Sequence, residues 1–184
     1  MVLGWIIGAV VAVIILALIY YYNKFVNQGN RIDNSLAQID VQLKKRADLV
    51  PNLIDTVKGY AKHEKSIMKE VSEARKALLG ATDLPHKIQA GDQLQNALKS
   101  IFAIAENYPD LRANENFLHL QKELSAIEDK VAYARQFYND TILDFNNAIK
   151  TFPGNFFAKT FSVKERPHLQ ITEAERKVPK VKFD

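Results

Sequence analysis

The feature that limits this chain most is the run VLGWIIGAVVAVIILALIYYY, Val2 to Tyr22, which contains no charged residue. A helix of about 20 apolar residues matches a hydrocarbon layer roughly 30 Å thick. Within lipid every backbone polar group must be satisfied inside the segment, which a helix does by itself. The run is therefore predicted to cross a membrane once. A cleavable signal would begin with basic residues and end with small ones; here Met1 leads straight into apolar residues and the run closes on Leu18, Ile19 and three tyrosines, so the segment is read as an uncleaved anchor. Trp5 near one end and Tyr20, Tyr21 and Tyr22 at the other fall where amphipathic rings favour the two interfaces. Lys24 and Arg31 follow the span and no Lys or Arg precedes it. The bias of basic residues toward the cytoplasm then places the N-terminus outside the cell and the rest of the chain on the cytoplasmic side of the cell membrane. Gly4, Gly8 and Ala12 recur every fourth residue. This spacing lets two membrane helices approach closely, although small residues are common in membrane helices generally.

The remainder of the 184 residues suffices for one domain with a core and a short appendage. Zero cysteines exclude disulfides, thiolate catalysis and every Cys-based metal site. A net charge of +4 fits a mild attraction to anionic membrane surfaces and falls short of a nucleic-acid-binding signature. From Phe25 onward apolar residues recur in steps of three and four: Phe25, Ile32, Leu36, Ile39, Leu43, Val50, Ile54, Val57 and Ala61. That is one stripe of a helix. Pro51 withholds a donor from the carbonyl of Ala47 and is expected to kink the helix without ending it, since the stripe keeps phase on both sides. A soft break is expected near Ala61 to Glu64, with a continuous helix through Leu79 as the alternative. The stripe resumes at Ile67, Val71, Ala74 and Leu78, and the turn formers of GATDLPH, Gly80 to His86, close it. A third helix carries Ile88, Leu94, Ala97 or Leu98, Ile101 or Phe102, and Ala105. The fourth has the clearest stripe, from Phe117 through Tyr138, Phe145 and Ile149 to Phe152, and FPG, Phe152 to Gly154, stops it. The predicted class is all-α: an N-terminal transmembrane helix followed by an antiparallel up-and-down bundle of four long helices. The expected division is an anchor at 1–23, a bundle at 24–153 and an aromatic and basic tail at 154–184.

The polar stretch AENYPDLRANENF, Ala105 to Phe117, brings Glu106, Asp110 and Glu115 close in sequence, yet each residue has a structural role. Pro109 turns Tyr108 away from helical geometry, Asp110 favours a turn, and Asn114 can cap the next helix with Glu115 beside its positive end. Elsewhere, His63, His86, His119 and His168 are scattered, and HEKSI lacks the second histidine of a zinc helix. Neither a phosphate-binding glycine loop nor a nucleophile elbow is present. Glu70, Glu73, Glu123, Glu128 and Asp129 read as solvated helix faces. No catalytic, cofactor-binding or metal-binding residue is assigned, and no cofactor is expected. Asn139 and Asn146, seven residues apart, together with Asn52, Asn107 and Asn116, form either a polar seam or a set of locally bonded flank residues. Lys44 to Arg46, KKR, reads as a solvated face, with a docking patch as the alternative. Beyond Pro153, Phe156, Phe157 and Phe161 stand among lysines and arginines. They form either a second, peripheral membrane contact or a clip back onto the bundle.

The segments QIDVQLKKRADLVPNLIDTVKGYAKHE (Gln38 to Glu64), ENYPDLRANENFLHLQKEL (Glu106 to Leu124) and YARQFYNDTILDFNNAIKTFP (Tyr133 to Pro153) together resemble the LemA family. The resemblance extends to the YN at Tyr22 and Asn23 and to PKVKF near the end, and weakens only at Lys76 to Leu94. It implies a bacterial protein with one N-terminal membrane helix, a helical bundle and no established enzymatic activity or cofactor. It also implies a setting near membrane zinc metalloproteases and membrane-associated assembly. The expected function is a membrane-anchored, non-enzymatic scaffold or adaptor that contacts the lipid bilayer and forms homo-oligomers, binds another membrane protein, or does both, without nucleic acid. The alternatives are a regulatory partner of a membrane zinc metalloprotease and a membrane-associated hydrolase.

Overall fold

The computed structural model describes residues 1–169 of the chain. Its elements are α1 (Val2–Tyr60), α2 (Lys65–Gly80), α3 (Leu84–Ala105), α4 (Pro109–Arg112), α5 (Glu115–Lys150) and α6 (Gly154–Thr160), with no strand among the described residues. The expected class, all-α with an apolar N-terminal helix and long helices packed against one another, is the one observed. α1 runs unbroken through 59 residues, joining the apolar run to the first bundle stripe and passing through Pro51. The soft break falls where expected, at residues 61–64, so α1 and α2 are separate helices. The turn after α2 is shorter than the Gly80 to His86 of the sequence reading, because Asp83 caps α3 by accepting from the His86 amide at 3.0 Å and Pro85 fits the first turn.

The described residues divide into two compact units, Leu36–Gln136 and Met1–Ser35 with residues 137–169. The first unit comprises the C-terminal half of α1, then α2, α3, α4 and the N-terminal half of α5. Ile39, Leu43, Val50, Leu53, Val57, Val71, Leu94, Ile101, Leu111 and Phe117 are buried at its centre. Asp92 meets Arg135, Gln95 meets Glu128 and Phe102 meets Phe117, a falling register that makes α3 and α5 antiparallel. Asp40 meets Lys87 and Arg46 meets Gly91, a rising register that makes α1 and α3 parallel, as alternate helices of an up-and-down bundle must be. α1 and α3 approach closely at Gly91, where an added Cβ would stand 2.8 Å from Leu43 Cδ2.

The proline in α1 has a partner on α2. Arg75 Nε donates to the Ala47 carbonyl at 2.7 Å, the acceptor that Pro51 leaves without its helical N–H. Sequence periodicity locates the proline but not the arginine that completes it.

In the second unit the C-terminal part of α5 lies antiparallel to α1, with Tyr138 beside Asp33 and Gly154 beside Tyr21. Phe25, Ile32, Ile142, Phe145, Ile149, Phe157 and Ala158 are buried there. One member of the predicted stripe departs: Phe152 is 85% exposed, because the helix ends at Lys150 and the chain turns before reaching it.

Candidate functional site

The sequence-derived site residues fall on α1 and α6. Gly4, Trp5, Gly8 and Ala12 are exposed on the apolar half of α1, and a Cβ added at Gly4 or Gly8 would meet nothing within 4 Å. At the end of the apolar run Tyr20 and Tyr22 remain exposed while Tyr21 turns inward. Tyr21 stacks on Phe157 of α6 with ring centroids 4.5 Å apart and planes 10° from parallel. The Phe25 ring centre lies 6.0 Å from that of Tyr21, and Phe161 meets Tyr22 edge-on at 5.5 Å. Lys24 Nζ sits 5.8 Å from the Tyr21 ring centre, within reach of a cation–π contact.

These contacts divide the three tail phenylalanines. Phe157 is buried and Phe161 half-buried against α1, whereas Phe156 is 64% exposed. For Phe157 and Phe161 the tail therefore folds back onto the protein. The approach of α6 depends on Gly154, since a Cβ there would collide with the Ala148 carbonyl oxygen and lie 3.5 Å from the Tyr21 ring.

Asn139 and Asn146 hold the extended segment that follows α6. The Arg166 amide donates to Asn146 Oδ1 at 3.0 Å while Asn146 Nδ2 donates to the Arg166 carbonyl at 2.9 Å. Asn139 repeats the exchange with Leu169, at 2.8 and 3.4 Å. Seven helical residues rise about 10 Å, and three extended residues cover about the same distance. The heptad spacing of the asparagines thus matches an extended segment one donor–acceptor pair at a time. Lys150 and Glu165 extend the pairing at 2.8 Å. Burial pushes the Tyr138 phenol up, with Arg166 opposing and Asp33 reinforcing the shift. The polar-seam reading thus holds for Asn139 and Asn146, and the partner is the chain's own tail. Asn52, Asn107 and Asn116 are exposed. Tail residues beyond Leu169, among them Lys177, Lys180, Lys182 and Phe183, lie outside the described residues.

Arg46 corrects the solvated-face reading of KKR. Lys44 and Lys45 are exposed, but Arg46 is only 2% exposed and donates to the Gly91 carbonyl at 3.4 Å. Burial pulls its pKa down, while Glu128 and Asp92 counter that shift and Arg135 adds to it. Arg46 also lines a cleft of about 150 Å³ with Gln95, Lys99, Gln121, Ser125 and Glu128. Glu128, read from sequence as solvated, bonds Gln95 and lies 3.8 Å from Lys99, so this carboxylate is held by side chains of α3. A signal was present in the sequence: Ile39, Leu43, Arg46, Val50, Leu53 and Val57 follow steps of four and three, placing the arginine on the buried stripe.

In the polar loop, Glu106 ends α3, Asp110 lies in the single turn of α4 and Glu115 opens α5; all three carboxylates are exposed and serve as turn and helix-end residues. Asn114 caps α5 by accepting from the Phe117 amide at 3.0 Å, and donates to the Tyr60 hydroxyl at the same distance. Pro109 begins α4 as well as separating it from α3. Tyr108 donates to Glu64 at 3.2 Å. Among the described residues no group of three or more His, Cys, Asp or Glu is placed to hold a metal ion.

The LemA family model matches residues 35–183 of the sequence. The chain belongs to the LemA family. This LemA-family chain is 25% identical over 155 residues to Protein LemA of Metamycoplasma hominis, an alignment covering 84% of the chain and 71% of that relative. It is 25% identical over 186 residues to Magnetosome protein MamQ 2 of Paramagnetospirillum magneticum, covering 87% of the chain and 68% of the relative. To Magnetosome protein MamQ of Magnetospirillum gryphiswaldense it is 25% identical over 170 residues, covering 78% and 62%. None of these names is that of an enzyme. The family match begins at residue 35, after the apolar run.

Proposed function

We propose that this LemA-family protein is a membrane-tethered, non-enzymatic scaffold that associates with copies of itself and with another membrane protein. The observation that carries the reading is the N-terminal part of α1, which is long and apolar enough to cross a membrane and has none of its apolar window buried by the rest of the chain. Such a surface is stable in lipid and costly in water. The span holds the protein in the cell membrane with the N-terminus outside and the helical body in the cytoplasm, the side favoured by Lys24 and Arg31. Gly4, Gly8 and Ala12 supply the face through which two spans pack. The magnetosome relatives support association with a membrane.

The absence of cysteine makes a single-cysteine scan of residues 4–16 in native membranes the direct test. Dimer formation on oxidation is expected to peak at Gly4→Cys, Gly8→Cys and Ala12→Cys and to fall between them. Uniformly weak crosslinking at all positions would count against self-association through this face.

A further inference from the structure

We propose that Phe152 and Phe156 insert into the headgroup–acyl boundary of the bilayer beside the end of the span, giving the protein a second, peripheral membrane contact. The inference rests on the reading of Val2 to Tyr22 as the span and adds a contact that the span itself does not require. α6 is fixed at the depth where that run ends, because Phe157 stacks on Tyr21 at 4.5 Å and Phe161 meets Tyr22 at 5.5 Å. The Phe156 ring lies 5.5 Å from that of Phe157, so one ring separates it from the interfacial tyrosine. Phe156 is 64% exposed and Phe152, on the corner preceding α6, 85% exposed, although the stripe of α5 offered Phe152 a buried place.

Aromatic side chains left in water at this depth match the apolar anchors of an interfacial segment, and cations beside them match anionic headgroups. Lys159 is exposed on α6, Lys150 ends α5 and Lys24 follows the span. Lys150 is paired with Glu165 at 2.8 Å, while Lys159 lies three residues, about one helical turn, beyond Phe156 on α6. Lipid is the occupant the geometry favours over a protein partner, since α6 packs against Tyr21 and Tyr22, where the apolar run ends. The inward-facing rings of the same segment, Phe157 and Phe161, position the outward-facing pair.

The test uses the full chain in vesicles of equimolar phosphatidylcholine and phosphatidylglycerol whose acyl chains are brominated close to the headgroup. In the unaltered protein Trp5, the sole tryptophan, reports whether the span is embedded. In a Trp5→Phe background, Phe156→Trp and Phe152→Trp each place the reporter in the patch, with helicity checked by circular dichroism. Both emissions are expected to be blue-shifted, to lose intensity in brominated vesicles and to be shielded from aqueous iodide. Emission typical of water, or a blue shift without bromine quenching that would place the ring against protein, overturns the proposal. An unquenched Trp5 in the unaltered chain would instead defeat the reading of the span.

Discussion

Pro51 lies within α1 without ending it, and Arg75 of α2 accounts for this. The proline has no N–H for the Ala47 carbonyl. Ala47 is fully buried, so water cannot serve in its place. Arg75 Nε does so at 2.7 Å. Arg75→Leu retains an apolar stem but strands that carbonyl, and a buried acceptor without a donor costs about 1–3 kcal/mol. In a Pro51→Ala background, residue 51 regains an N–H that reaches Ala47 through the helix's own ladder. There Arg75→Leu should cost less than about 1 kcal/mol, the value of a redundant hydrogen bond. The double-mutant cycle is therefore expected to show a coupling of roughly 1–2 kcal/mol. Chemical denaturation of the full chain in detergent micelles, followed by helical circular dichroism, measures all four corners of the cycle. Equal costs for Arg75→Leu in the two backgrounds would show that Arg75 does not act through the carbonyl Pro51 leaves open.

Asn146→Ala removes two hydrogen bonds from the tail, and at a net value near 1 kcal/mol each the segment should open about tenfold or more often; faster exchange at the Arg166 amide and quicker tryptic cleavage after Lys164 would register this, and unchanged exchange would refute the clip. Gly154→Ala forces a Cβ into the Ala148 carbonyl and is expected to release α6, exposing Tyr21 to solvent quenchers, whereas Gly91→Ala meets only the movable end of Leu43 and should shift stability by no more than about 1 kcal/mol. The His86 amide, and after it the His86 side chain, hold the Asp83 carboxyl below the usual carboxylate range. Because this pKa is depressed on folding, the cap's contribution is present above the unfolded value of about 3.9 and is lost as pH falls through the lower folded value. The chemical shift of the His86 amide should follow that transition, and Asp83→Asn should abolish it.

The class of fold was legible because burial follows period. Ile39, Leu43, Val50 and Val57 on α1 and Phe117, Leu124, Val131 and Ile142 on α5 are core residues that spacing alone identifies. The cap of α5 was legible too, since Asn114 and its neighbours encode a local geometry, whereas the Asp83 cap of α3 lay hidden within the turn formers. Partners distant in sequence were not legible. Nothing near Pro51 names Arg75, and nothing near Asn139 and Asn146 indicates that their partner is the chain's own segment at Arg166 and Leu169. Arg46 was masked by the two exposed lysines before it, although its place on the stripe marked it as buried. For Phe152 the helical period was correct but ran past the point where the helix stops. Of the three tail phenylalanines, Phe157 and Phe161 pack against α1, while Phe156 is exposed.

The central claim is that the charge-free first third of α1 lies in lipid and tethers everything that follows. Alkaline carbonate washing of membranes tests it most directly, because the treatment strips proteins held only at the surface. The full chain is expected to stay with the membrane pellet, and a chain lacking residues 2–22 to move to the supernatant. Release of the full chain, or retention of the shortened one, would contradict the account.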